Sequence, residues 1–391
     1  MAQTRSSTYR LNYRVTAEPA KNHLRVDLAL TQNRRLLREM RLRAPEKYFS
    51  QFGGDGEVRV EADRVAWLPP RHGGSISWTV ALNRHKNGER YDAYMTGDWA
   101  LFRASDIIPA AITRTVKGAT GKTTLSFSLP ANWSSVTQYY GRNQRYRVKN
   151  PQRRFARPTG WILLGKIGVR AEKMAGIKVK IAAPVHQDAH RMDMLALLAW
   201  TLPEVNRLFA GFPSRLTIFS AGDPMWHGGL SAPSSLFLHS SLPLLSENST
   251  STLLHEVVHV GMGASAASGA DWIIEGMAEY YALQILLRSG TISQHRFDRA
   301  LAGLDLWGGE AGSLCSDDAS GPVTAKAAVL MHAINMELEK QTDGQHNLDD
   351  VMHVLAASQH KITIEDFSIA VTGLLQHESE AMNNANIVCA P

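Results

Sequence analysis

Between Tyr9 and Arg170 the apolar side chains return at every second position, and packed helices cannot bury such a pattern. Leu24, Val26, Leu28 and Leu30 alternate with other residues, as do Ile76, Trp78, Val80 and Leu82, and later Leu125, Phe127 and Leu129. Successive strand side chains point to opposite faces, so each run offers one face to a core and one to water. Gly53-Gly54-Asp55-Gly56, Pro69-Pro70, Gly73-Gly74 and Lys117-Gly118 separate the runs with turn chemistry. The expectation is an N-terminal antiparallel β-sandwich over residues 1–172. Gly118-Ala119-Thr120-Gly121-Lys122-Thr123 is no phosphate loop, because Val116 stands where its first glycine belongs and no long helix follows.

Past Lys173 the period changes. Ile177–Ile181 and Leu216–Phe219 read as strands, Met192–Phe209 as a helix interrupted near Pro203, and Leu230–His239 as an extended edge segment. From Ser249 onward, helical periods run through Ser251–Met262, Asp271–Arg288, Ser293–Leu304, Val323–Leu338, Leu348–Ala357 and Ile364–Leu375. A chain of 391 residues is too long for one ordinary core. The reading is an α+β multidomain protein: the sandwich, a catalytic domain at 173–290 and a C-terminal helical bundle at 291–391. A β-plus-α lobe followed by a helical lobe, with the change at residues 255–259, suits an active-site cleft between lobes.

The chemistry is concentrated in His255-Glu256-Val257-Val258-His259, an H-E-x-x-H sequence inside a helical window. Asn248, Ser249 or Thr250 is the expected cap of its helix. Spacing i, i+4 puts both imidazoles on one face, where they can share a tetrahedral ion. Glu256 stands one residue on, placed to take a proton from a metal-activated water. Chance alone gives roughly 0.03 such matches in a chain of this composition. Two ordinary core histidines would leave two polar rings and a carboxylate unexplained on an apolar helix. Fifteen residues with Gly261, Gly263 and Gly269 then let the chain reverse into Asp271–Tyr281. Glu275 is assigned as third ligand and Glu279 as hydrogen-bond acceptor from a bound histidine. The spacing is also compatible with the reverse.

H-E-V-V-H followed by W-I-I-E-G-M-A-E-Y-Y resembles the gluzincin zinc peptidases, most closely the glycyl-aminopeptidase-like family (M61) and more distantly the M1 aminopeptidases. Tyr13–Leu30 is similar to the opening strands of the M61 amino-terminal domain, and Asn347–Met352 and Ile364–Phe367 are similar to its closing helices. The resemblance thus spans nearly the whole chain, although only the metal motif is specific. It implies a thermolysin-like catalytic domain, one Zn2+ per chain and a peptide or protein substrate. It also implies that Gly228, Gly229, Leu230 and Ser231 form a strand that pairs with substrate backbone. The chain departs from the M1 pattern twice. Ser231 stands where those enzymes hold the free amine with a glutamate, and Thr324 stands where the transition-state tyrosine belongs. Losing such a donor typically costs ~10²–10³ in rate, and Tyr280, Tyr281 and His227 are the candidates to replace it. The expected function is zinc-dependent peptide hydrolysis. The alternative is a zinc-binding, catalytically impaired protein that binds peptides or protein partners.

Three further features bear on partners. The formal charge of +6 is modest for this length, so nucleic acid is not an expected partner. Positive residues between Arg142 and Lys173 read as a solvated hairpin and linker, with contact to an anionic surface as the sharper alternative. Apolar stretches such as Leu195–Trp200 fall short of the ~18 residues of a membrane span, so no transmembrane segment is expected. Cys315 and Cys389 are too few for a zinc knuckle and are candidates for one bridge. No apolar leader follows Met1; a periplasmic or secreted location is expected if this start is a trimmed mature form, and a cytoplasmic one otherwise.

Overall fold

The structure is a computed structural model of the chain and describes residues 7–150, 155–315, 318–358 and 360–385. It divides into two compact units. One comprises Met1–Arg170, Ile181–Ala189 and Thr217–His227, the other Ala171–Lys180, His190–Leu216 and Gly228–Pro391.

The first unit is built of strands, and the alternation in the sequence becomes the alternation of burial. Leu24, Val26, Leu28 and Leu30 are buried while Arg25 and Ala29 between them face solvent. Register keeps the apolar set together: Leu24 pairs with Val80, Val26 with Trp78 and Leu28 with Ile76. A slip of one residue would turn the whole set to water. Seven strands lie in the order Tyr140–Arg142, Arg145–Val148, Thr120–Ser128, Thr8–Glu18, His23–Thr31, Gly73–Ala81 and Phe49–Gly54. Thr8–Glu18 and Thr120–Ser128 pair in parallel, with Val15 opposite Phe127. That corrects the all-antiparallel expectation, and the reason is simple: alternation is the same for either strand direction.

Two further sheets lie within this unit. Five strands run in the order Ser134–Thr137, Trp161–Gly165, Trp99–Arg103, Arg90–Met95 and Asn83–Asn87, and four in the order Ala110–Thr115, Leu37–Arg43, Arg64–Leu68 and Glu57–Glu61. The core holds Tyr9, Tyr13, Trp67, Trp78 and Phe102. The Trp78 indole donates to the Ile107 carbonyl at 2.9 Å, at the end of helix α1 (Ala104–Ile107). In the basic hairpin Arg142, Arg145 and Arg147 point outward, whereas Tyr146 and Trp161 are buried. Arg153 and Arg154 lie outside the described residues.

The second unit contains eight helices among the described residues: α2 (Arg191–Leu208), α3 (Thr252–Met262), α4 (Asp271–Arg288), α5 (Gln294–Gly308), α6 (Pro322–Gln341), α7 (Leu348–Ala356), α8 (Ile364–Leu375) and α9 (Glu380–Asn384). Helix α4 is apolar nearly all round and packs against α2, α3, α5 and α6, as a helix without a polar face must. At Gly276 the α6 backbone comes so near that a Cβ would stand 2.7 Å from the Ala327 Cβ. Helix α2 runs through Pro203 without interruption. A mid-helix proline costs ~3 kcal/mol, and burial of Leu198, Leu202, Val205 and Leu208, at about 1.5–3 kcal/mol each, outweighs it. Tyr281 donates to Asp349 Oδ1 at 2.9 Å, and Arg288 grips both oxygens of Asp349, so α4 is tied to α7.

The expected single edge segment is a hairpin. Gly229–Ala232 and Ser235–His239 pair antiparallel around Pro233-Ser234, with Ser234 at φ 53°. Gly229–Ala232 is the edge strand of a five-stranded sheet. No helix among the described residues is long and apolar enough to cross a membrane. Cys315 is disulfide-bonded, while Cys389 lies outside the described residues.

Candidate metal centre

Helix α3 starts at Ser251, whose hydroxyl donates to the Leu244 carbonyl at 2.6 Å and accepts from the Leu254 amide. This residue, rather than Asn248, Ser249 or Thr250, is the cap, because the extended backbone at Ser251 aims its side chain at the free amides of the first turn. Leu253, Leu254, Val257 and Val258 are fully buried and fix how the helix is turned. The opposite stripe then carries His255 and His259, whose Nε2 atoms stand 3.0 Å apart.

Helix α4 supplies the carboxylates. Glu275 Oε2 lies 3.1 Å from His255 Nε2, and Glu275 Oε1 lies 3.3 Å from His259 Nε2. Glu279, one turn on, meets only the far nitrogen of His255, at 2.9 Å from Nδ1. With Nδ1–H donating to Glu279, the lone pair of His255 falls on Nε2, which points at Glu275 and His259. Donors on a tetrahedral zinc with bonds of about 2.0–2.1 Å stand roughly 3.3–3.5 Å apart. The three residues therefore fit such an ion with little movement, and their donor atoms all lie within 4.8 Å of one another.

The electrostatics fit a cation as well. Burial works against the charge on His255, but the Glu275 and Glu279 carboxylates outweigh it and hold its pKa well above the ordinary value. Burial likewise pushes Glu275 up, and the two histidines prevail, holding it below the usual carboxylate range. Two imidazoles and two carboxylates so close demand positive charge at their centre.

Glu256 is buried on the same helix, 6% exposed. Burial raises its pKa, offset in part by His259 and His255. The edge strand Gly229–Ala232 passes directly over it. A Cβ at Gly229 would stand 2.5 Å from Glu256 Cγ and 2.7 Å from Oε1, so only glycine leaves this carboxylate its place. Gly228, Gly229, Leu230 and Ser231 are thus brought beside the motif helix, and the Gly228 carbonyl accepts from the His239 amide at 3.0 Å.

Other expected residues are not brought to the centre. Tyr280 and Tyr281 are fully buried on other faces of α4, where Tyr280 accepts from Gln284 and Tyr281 donates to Asp349. Helical spacing explains this: a residue five or six positions after Glu275 is turned well away from it. The Thr324 hydroxyl donates to the Ala319 carbonyl at 3.3 Å in the first turn of α6. Asp271 was missed by the sequence reading. It lies one turn before Glu275, accepts from the Ala319 amide at 2.9 Å, and is raised by burial and then by Glu275. Its i, i+4 spacing to Glu275 was the available signal.

No protein-family model and no curated protein matches the chain. Solved structures do. The chain is similar to an aminopeptidase N family protein from Idiomarina loihiensis, with a TM-score of 0.67 at 17% identity over 96% of this chain and 78% of that one. It is also similar to a mutant of the M1 zinc metallopeptidase from Deinococcus radiodurans, with a TM-score of 0.64 at 15% identity over 98% of this chain and 95% of that one. At such identities the likeness lies in the fold, which this chain shares with these two proteins.

Proposed function

We propose that this protein is a zinc-dependent peptidase of the gluzincin kind, with its closest kinship in the M61 family. The convergence of His255 Nε2, His259 Nε2 and both Glu275 oxygens at 3.0–3.3 Å carries this reading. The catalytic domain is taken as residues 173–290, between the domains at 1–172 and 291–391. His255, His259 and Glu275 hold the metal, and Glu279 holds the tautomer of His255.

Zinc bound there supplies a Lewis acid that makes water acidic near neutral pH and polarises a carbonyl. The Glu256 carboxylate takes the proton of the attacking water and delivers it to the departing amine nitrogen. Gly228–Ser231 lies along the same carboxylate, and a peptide added to this strand edge would carry its backbone past Glu256.

The test is zinc content together with hydrolysis of a diverse peptide library. The expected outcome is one zinc per chain in the native protein and in Glu256→Gln, with cleavage only in the former. Stoichiometric zinc without cleavage favours the binding-protein reading, which the engagement of Thr324 and Tyr281 elsewhere supports. A chain that takes up no zinc refutes both.

A further inference from the structure

One face of the seven-stranded sheet packs on the core, and strand register decides what the other face carries. Residues paired across neighbouring strands project to the same side. Arg142 stands opposite Arg145, Arg145 opposite Ser126, and Ser126 opposite Arg14. Two residues along, Tyr140 stands opposite Arg147, Arg147 opposite Thr124, and Thr124 opposite Asn12. Lys122 stands opposite Arg10. The residues interleaved with these, Leu11, Tyr13, Leu125, Tyr146 and Val148, are buried in the core. Arg10, Arg14, Lys122, Arg142, Arg145 and Arg147 therefore point away from it together, and all six are exposed.

This face holds unbalanced positive charge. Among the described residues no carboxylate forms a salt bridge with any of the six. The acids on these four strands and on His23–Thr31 beside them are Glu18 and Asp27, and both have cations of their own. Asp27 lies 3.3 Å from Arg25, and Glu18 lies 2.8 Å from Lys21 and 3.1 Å from His23. The basic stretch that stands out in the sequence is only partly involved. Lys166 pairs with Asp98 at 2.8 Å, and Arg157 donates to the Ile108 carbonyl at 3.0 Å.

We infer that this sheet face docks the protein on an anionic phospholipid surface. Strands stand about 4.8 Å apart and rise about 3.3 Å per residue, so the six cations cover a patch of roughly 14 Å by 13 Å. That spread is under two Debye lengths of about 8 Å each at physiological salt, and the six act as one field. Charge spread in two dimensions matches the lateral spread of headgroups. A single extended polyanion would meet one row of cations and leave the others unmatched. Tyr140, 61% exposed at the sheet edge, places an amphipathic ring where aromatic side chains sit among headgroups. Docking of this kind needs no metal, so it stands or falls apart from the peptidase reading.

The experiment is co-sedimentation of the full chain with two kinds of vesicle, phosphatidylcholine alone and equal parts phosphatidylcholine and phosphatidylserine. The protein should bind the acidic vesicles and leave the neutral ones, and binding should weaken as salt shortens the Debye length. Each basic residue near an anionic surface contributes about 5-fold to binding, so Arg14→Gln, Arg145→Gln and Arg147→Gln combined should weaken it about 100-fold. A control combining Arg38→Gln, Arg43→Gln and Arg64→Gln removes the same charge from the four-stranded sheet and should stay within a few-fold of native. Denaturant midpoints should match the native value, since all six substituted side chains are exposed. Should the patch variant lose stability, Lys122→Gln with Arg142→Gln reads the same face. Equal weakening in patch and control variants would assign binding to net charge and overturn the inference. Failure of the native protein to bind acidic vesicles would overturn it, as would tighter binding to soluble polyphosphate at matched charge.

Discussion

Replacing Gly229 by alanine adds one methyl group, and the structure says where it goes. The new carbon would stand 2.5 Å from Glu256 Cγ, 2.9 Å from Cδ and 2.7 Å from Oε1. Carbon pairs are comfortable at about 3.5–4.0 Å, so roughly 1 Å must be found. Helix α3 cannot provide it, because Leu253, Leu254, Val257 and Val258 are fully buried behind Glu256. Either the glutamate side chain turns away or the edge strand lifts from α3. Overpacking of this kind costs about 1–3 kcal/mol, which a denaturant midpoint will register. A base displaced by ~1 Å costs on the order of 10²-fold in rate. Zinc content is expected to stay full, since the three atoms nearest the new carbon all belong to Glu256, which is not an assigned ligand. The assay is kcat on a peptide that the native protein cleaves, with zinc measured on the same samples. Native kcat at full zinc occupancy in Gly229→Ala would refute the claim that this close approach positions Glu256.

Glu279→Ala removes the acceptor for His255 Nδ1 and should weaken zinc about 10–100-fold, read by competition with a chelator. Tyr281→Phe should leave zinc and turnover intact and lower stability by about 1–3 kcal/mol, since Asp349 loses a donor but keeps Arg288; a collapse of kcat in this variant would return Tyr281 to the chemistry. Burial raises the pKa of Tyr9, Tyr13, Tyr146, Tyr280 and Tyr281. Folded-state values above the unfolded ~10 mean that their stabilisation is complete below pH ~10 and is lost as pH rises beyond it. Ultraviolet titration should therefore ionise these five only with unfolding; their smooth ionisation in the folded protein would contradict the burial.

The sequence by itself determined the local matters. Strand alternation in Tyr9–Leu30 and Ile76–Leu82 depends on a two-residue period, and so does the burial that follows from it. The pairing of His255 with His259, and of Glu275 with Glu279, depends on 3.6 residues per turn. Those relations hold wherever such segments fold, which is why the cluster of His255, His259 and Glu275, able to hold a metal, was legible before any coordinates. Tertiary structure decided what depends on distant partners. Alternation does not encode strand direction, so the parallel pairing of Thr8–Glu18 with Thr120–Ser128 appeared only in three dimensions. Pro203 reads as a breaker, yet burial of its neighbours carries α2 through it. Tyr280 and Tyr281 are adjacent to Glu279 in sequence but are turned to Gln284 and Asp349 by the packing of α4. Gly229 precedes Glu256 by more than twenty residues, and no local period relates the two. Their contact arises because the edge strand crosses helix α3, and long-range packing of that kind sets contacts that sequence spacing cannot carry.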